Sequence, residues 1–231
     1  MKLFKNLLLA FAVLMASCSL SPASAVDFSA TAGADTNFVF RGQTLSQRGI
    51  SANAGVKLNV AGLYAADTAH TVSFANSNTN LLNVAEVGYE TALGNVAVAG
   101  GYTYYAFTGG ATGGVAASNS NFGEVFAKAS TYGITAKLAQ RVTQPVGGTG
   151  KDLYARLSYT SPKFAEKFSA TVGTEYQKFI AAKVNQTNVD FTVNYDLTKD
   201  LVAFASYTHV GNGVNGIKLP NQTNVGVAYL F

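Results

Sequence analysis

From residue 26 onward, apolar and polar side chains alternate with a period of two, and no stretch carries the repeat of an amphipathic helix. Ala85, Val87 and Tyr89 share one parity while Glu86 and Glu90 take the other. Ile134, Ala136 and Leu138 stand opposite Lys137 and Arg141, and Leu153, Ala155, Leu157 and Tyr159 oppose Asp152 and Arg156. The same division sets Phe168, Ala170, Val172 and Tyr176 against Glu175, and Val189, Phe191, Val193 and Tyr195 against Asp190 and Asp196. Glu124 and Lys128 align as well, though Phe122 and Phe126 share their face. The pattern predicts twelve strands, near 27–37, 49–58, 63–74, 82–91, 96–106, 122–130, 134–142, 152–160, 167–178, 188–196, 201–209 and 222–231.

The connections carry further information. "NVAG" (59–62), "ALGN" (92–95), "TYG" (131–133), "SPKFAEK" (161–167) and "LTKD" (197–200) are short. Between them come longer polar or Gly-rich pieces at 38–48, 75–81, 107–121, 143–151, 180–187 and 210–221. In an up-and-down meander, alternate connections lie at the same end. One end therefore collects the tight turns and the other the long loops, as in outer-membrane barrels. An even strand number brings both termini to the short-turn end.

Alternation alone does not say which face is inside, because a soluble sandwich or lipocalin has the same period. Three features turn the apolar face outward. Gly, Ser and Thr intersperse the charged face, which suits an aqueous or self-neutralised lumen. Tyr89, Tyr159, Phe168, Tyr195, Tyr229 and Phe231 sit close to the short turns or the terminus, where an interfacial girdle would be. Strands of about ten residues, tilted by roughly 40°, span about 25 Å, the height of the lipid-facing band. The expected fold is thus an all-β, up-and-down antiparallel transmembrane β-barrel of about twelve strands, with ten to fourteen allowed. The final strand, with Val225, Val227, Tyr229 and Phe231 toward lipid, pairs with the first and removes both free edges. Its alternation up to a terminal Phe resembles the signal by which bacterial barrels are recognised for assembly.

Composition agrees with a membrane-spanning sheet. The 231 residues are 48% hydrophobic but only 12% charged, about half the usual charged share. No run after residue 25 reaches the length of a membrane helix. Residues 1–25 read as a cleaved secretory signal: Lys2 and Lys5, the apolar "LLLAFAVLMA", then "ASA" at Ala23–Ala25. Cleavage within "MASC" ahead of a lipidated Cys18 is the rival reading, which Met15 and Ser17 fit poorly. Loss of the signal removes the single cysteine and lowers the formal charge from +4 to +2. With no basic stripe, the composition offers nothing for nucleic acid.

The stretch "ATAGADTNFVFRGQTLSQRGISANAGVKLNVAGLYAA" (30–66) resembles an uncharacterised bacterial family of outer-membrane proteins labelled Gcw_chp. Asp35, Phe38, Phe40, Arg41 and Gly42 match the family's D-Y-x-F-R-G-x-S-like motif, and Gly62, Leu63, Tyr64 and Ala65 its G-F-Y-A-like motif. "NVAEVGYETALGNVAVAGGYTYY" (83–105) is similar to its middle hairpin. The chain departs from the family in placing Asn37 and Phe38 near the usual Tyr and in lacking Trp. The resemblance implies an exported barrel and no particular activity.

Catalytic motifs are weak. "GNGVNG" (211–216) fits G-x-G-x-x-G but has no helix to follow it, and "GGTGKD" (147–152) lacks the Ser or Thr of a phosphate loop. His70 and His209 are the only neutral-pH acid/base candidates. Ser206 and His209 have opposite strand parity, as do Asp67 and His70, so neither pair shares a face. Two His without further ligands make no metal site, and no cofactor is called for. Arg41 stays open between two roles, a lumen or loop-fixing group and a solvated loop arginine.

The lumen candidates are Glu86, Glu90, Glu124, Lys128, Lys137, Arg141, Arg156, Glu175 and Asp190, five negative and four positive. Such a set either pairs into a plug or leaves a narrow pore. The leading expectation is a bacterial outer-membrane barrel, a passive porin-like channel for small polar solutes or a structural protein. Its partners would be outer-membrane lipids and the barrel-assembly machinery. A lipid- or peptide-modifying enzyme is the second expectation, and a soluble periplasmic barrel or adhesin the third.

Overall fold

The computed structural model describes residues 26–73, 78–110, 121–143, 152–179, 184–211 and 219–231. The proposed signal with Cys18, most of "GNGVNG" and nearly all of "GGTGKD" lie outside the described residues.

β1 (Val26–Asp35) is followed by a two-rung hairpin, β2 (Val39–Phe40) and β3 (Gln43–Thr44). Then come β4 (Ser51–Val60), β5 (Leu63–Thr71), β6 (Asn78–Leu93) and β7 (Val96–Gly110). β8 (Phe122–Thr131), β9 (Ile134–Thr143) and β10 (Leu153–Thr160) continue the meander. β11 (Phe168–Phe179), β12 (Val184–Asp196), β13 (Leu201–Val210) and β14 (Gln222–Leu230) complete it. Each barrel strand pairs antiparallel with its neighbours, and β1 pairs with both β4 and β14. The sheet is therefore a closed barrel of twelve strands, with β2 and β3 outside the ladder. Closure leaves no unpaired edge, which a wall in hydrocarbon requires. It reaches the last residue, since the Phe231 amide donates to the Ala30 carbonyl at 2.9 Å.

The short turns explain why the register holds. Ala61–Gly62 has φ of 52° and 88°, and Tyr132–Gly133 has 46° and 82°. Both are the doubly left-handed geometry that matches the twist of a two-residue hairpin. At the other end the expected strict alternation of long loops fails once. The segment read as a loop at 180–187 narrows to residues 180–183, because β11 and β12 continue their ladder through Gln177–Gln186 to Phe179–Val184. The backbone pairing persists there although the apolar alternation that marks a lipid-facing wall has ended.

Inside and outside are assigned by neighbours along one strand. Val189 and Phe191 of β12 are 45% and 48% exposed, while Asp190 between them is bonded to Arg156. Val56, Leu58, Leu138, Leu157, Val172, Val225 and Val227 extend the same exposed apolar belt around the barrel. A belt this continuous is far beyond the apolar patches of soluble monomers and fits an acyl environment. Tyr89, Tyr132, Tyr159, Phe164, Tyr229 and Phe231 stand exposed toward the short-turn end.

Candidate functional site

The interior is organised by the β2–β3 hairpin, which folds into the barrel. Its base is tied down by polar groups. The Asn37 amide side chain donates to Gln222 Oε1 and to the Thr223 carbonyl, both at 3.2 Å, and Thr44 Oγ1 donates to Asn37 Oδ1 at 2.5 Å. The Phe38 amide donates to Ser46 Oγ at 2.9 Å, and the Ser73 amide to the Leu45 carbonyl at 2.7 Å. Leu45 joins Val72, Leu82, Tyr105, Phe107 and Phe122 in a buried cluster, against which Phe38 and Phe40 pack. Phe38 also stacks on His70, with ring centroids 4.2 Å apart.

The tip of the hairpin is Arg41–Gly42, with φ of 52° and 78°. Arg41 Nη1 donates to Glu124 Oε1 at 2.9 Å and Nη2 to Oε2 at 2.5 Å, a bidentate fork. The guanidinium lies 4.1 Å from the ring centre of Tyr154 and 4.9 Å from that of Phe40. On the opposite side, Gln186 Nε2 of β12 donates to the Arg41 carbonyl at 2.9 Å. A Cβ on Gly42 would stand 2.6 Å from Asn188 Oδ1, so only glycine lets the tip approach this wall. β8 and β12 are not neighbours in the sheet, and one hairpin tip touches both. The tip therefore crosses the lumen. Burial works against the Arg41 charge, and the hydrogen bond and field of Glu124 outweigh it, raising its pKa above the ordinary guanidinium value.

A second network lies beside the first. Arg156 donates bidentately to Asp190, both bonds at 2.8 Å, and also pairs with Glu175. Glu175 further accepts from the Tyr154 hydroxyl at 2.9 Å and from Asn188 Nδ2 at 3.3 Å. The reach from β10 to β12 passes over Gly173 of β11, where an added Cβ would be 2.7 Å from Asp190 Oδ1 and 2.8 Å from Arg156 Nη2.

The other candidate charges pair in smaller groups. Arg141 meets Asp152 at 2.9 Å and lies over the Phe122 ring. Glu86 accepts from Tyr64 and Thr103 at 2.8 and 2.9 Å, with Lys137 Nζ at 4.0 Å. Glu90 accepts two bonds from Lys57, at 2.7 and 2.8 Å, and one from Asn59. Lys128, across the ladder from Lys137, is exposed near the short turns. Lys57 is absent from the predicted charged faces, and Asp152, placed on the charged face with Arg156, is absent from the lumen candidates. The parity of Lys57 and Asn59 against Val56 and Leu58 was a usable signal; the partnership of Arg41 with Glu124 was not.

His70 and His209 do not come together. His70 stacks inside on Phe38, while His209 is exposed and pairs across the ladder with outward Val189. Among the described residues, no three His, Cys, Asp or Glu side chains group closely enough for a metal ion. Between the hairpin and the β10–β14 wall remains a cavity of about 170 Å³, lined by Val39, Arg41, Gly42, Arg156, Glu175, Asp190, Thr192, Ser206, Thr208 and Asn224.

Residues 19–219 match the model of a family described as a bacterial protein of unknown function, Gcw_chp. The fold is similar to that of the KdgM porin, with a TM-score of 0.57 at 12% identity over 88% of this chain and 99% of the porin. The NanC porin follows at 0.53 and 14%, over 88% and 99%. An outer-membrane channel from Pseudomonas putida F1 aligns at 0.51 and 12%, over 91% and 97%. No curated protein matches the sequence. At these identities the structural likeness is one of fold.

Proposed function

The chain belongs to the Gcw_chp family, and from that premise we propose that it is a bacterial outer-membrane barrel acting as a narrow passive channel for small polar solutes. Residues 1–25 would direct export, and Val225, Val227, Tyr229 and Phe231 would present the last strand to the barrel-assembly machinery. Outer-membrane lipids would cover the apolar belt. The observation that carries the reading is the β2–β3 hairpin. Its tip crosses the lumen and its apolar side chains pack to one side, while a polar cavity of about 170 Å³ remains beside it. Glu86, Glu90, Glu124, Lys128, Lys137, Arg141, Arg156, Glu175 and Asp190 would line the path, with Phe38, Phe40, Arg41 and Gly42 forming its constriction.

Single-channel recording in planar bilayers tests this. The wild-type barrel is expected to give small, discrete conductance steps, and replacing residues 39–45 with a Gly-Ser linker should enlarge them. Silence from both proteins across a range of salts would mean a structural barrel and defeat the channel reading.

A further inference from the structure

Resting on that channel reading, we infer that the cavity beside the hairpin is a subsite for neutral polyhydroxylated solutes of monosaccharide size, and that it passes over their acidic counterparts. Size sets the first limit. About 170 Å³ is well below the roughly 300 Å³ at which drug-sized pockets begin, so the occupant is a single ring.

The lining sets the second limit. Thr192, Ser206 and Asn224 pair side by side across β12, β13 and β14, and Thr208 lies one inward position along from Ser206. Among the described residues, the hydroxyls of Thr192, Ser206 and Thr208 have no hydrogen-bond partner in the protein. This is a row of donor-acceptor groups awaiting hydroxyls.

The cations give the third limit. A free arginine fork would favour carboxylate, but neither fork is free. Arg156 spends both terminal nitrogens on Asp190, and Arg41 spends both on Glu124. The lining charges, Arg41 and Arg156 against Glu175 and Asp190, sum to zero. An anionic solute would have to displace a bonded carboxylate, whereas a neutral polyol binds beside the pairs and disturbs none of them.

The experiment is swelling of proteoliposomes in isotonic D-glucose, D-glucuronate or D-glucosamine, with folding of every variant checked by heat-modifiable migration. Wild-type barrel should admit glucose about fivefold faster than glucuronate, the equivalent of one hydrogen bond. Thr192→Val with Ser206→Ala should remove most of the glucose preference. Glu175→Gln with Asp190→Asn leaves Arg156 uncompensated and should raise glucuronate entry above glucose. Equal or faster glucuronate entry in the wild type overturns the subsite while leaving the channel standing. No swelling with any solute overturns the channel, and the subsite with it.

Discussion

The two ends of the barrel interior hold the same chemistry in different surroundings. Toward the long loops, Arg41 and Glu124 form an ion pair whose side chains are only 7% and 2% exposed, with the Arg41 guanidinium against the rings of Phe40, Tyr105 and Tyr154. Toward the short turns, Lys57 and Glu90 form one that is 36% and 34% exposed. The difference is the hairpin, which brings an apolar cluster into one end and never reaches the other. A pair in a packed setting is expensive to break because the survivor is stranded without water, while a wet pair merely exchanges its partner for solvent. Contact distance therefore does not rank these pairs; their surroundings do.

The largest effect should come from stranding Arg41. Glu124→Ala is expected to lower barrel stability by about 3–5 kcal/mol, read as an earlier urea midpoint in lipid vesicles. Removing both charges, with Arg41→Met and Glu124→Leu, should cost less than the single change. A Glu124→Ala protein as stable as wild type would mean that the two ends are equally wet. Next comes the bridge between them. Gly173→Val pushes Cβ into Asp190 and Arg156 and should cost about 1–3 kcal/mol, with the Arg156–Asp190 pair displaced. Tyr154→Phe removes one hydrogen bond to Glu175 and should cost about 1 kcal/mol in the same titration. Lys57→Met at the wet end should cost less than about 1 kcal/mol, and the loss should shrink with added salt. A loss as large as that from Glu124→Ala would erase the contrast.

The wall was legible in the sequence because lipid on one side and charge on the other force a two-residue alternation. Val189, Asp190 and Phe191 suffice to orient β12, and the tight turns at Ala61–Gly62 and Tyr132–Gly133 number the strands. Above the lipid band that constraint lapses. The upper ladder of β11 and β12, with Asn185, Gln186 and Thr187 in sequence, therefore read as a loop. The interior was legible only by parity, which places Glu124 and Arg156 inward without naming their partners. Arg41 and Glu124 are 83 residues apart in the chain, and the inward turn of the hairpin depends on contacts from β7, β8, β10 and β12 together. The family motif pointed to Phe38, Phe40, Arg41 and Gly42; what they do is fixed by packing that no local pattern records.

Arg41, Gln47 and Arg48 hold φ of 52°, 52° and 61°, each in the left-handed region without being glycine. At about 1–2 kcal/mol apiece, that backbone cost is borne by the contacts that hold the loop, among them the Arg48 amide to Thr44 Oγ1 at 3.1 Å and Gln47 Nε2 to Ser73 Oγ at 3.3 Å. Removing those contacts would therefore relieve strain as well as cut bonds.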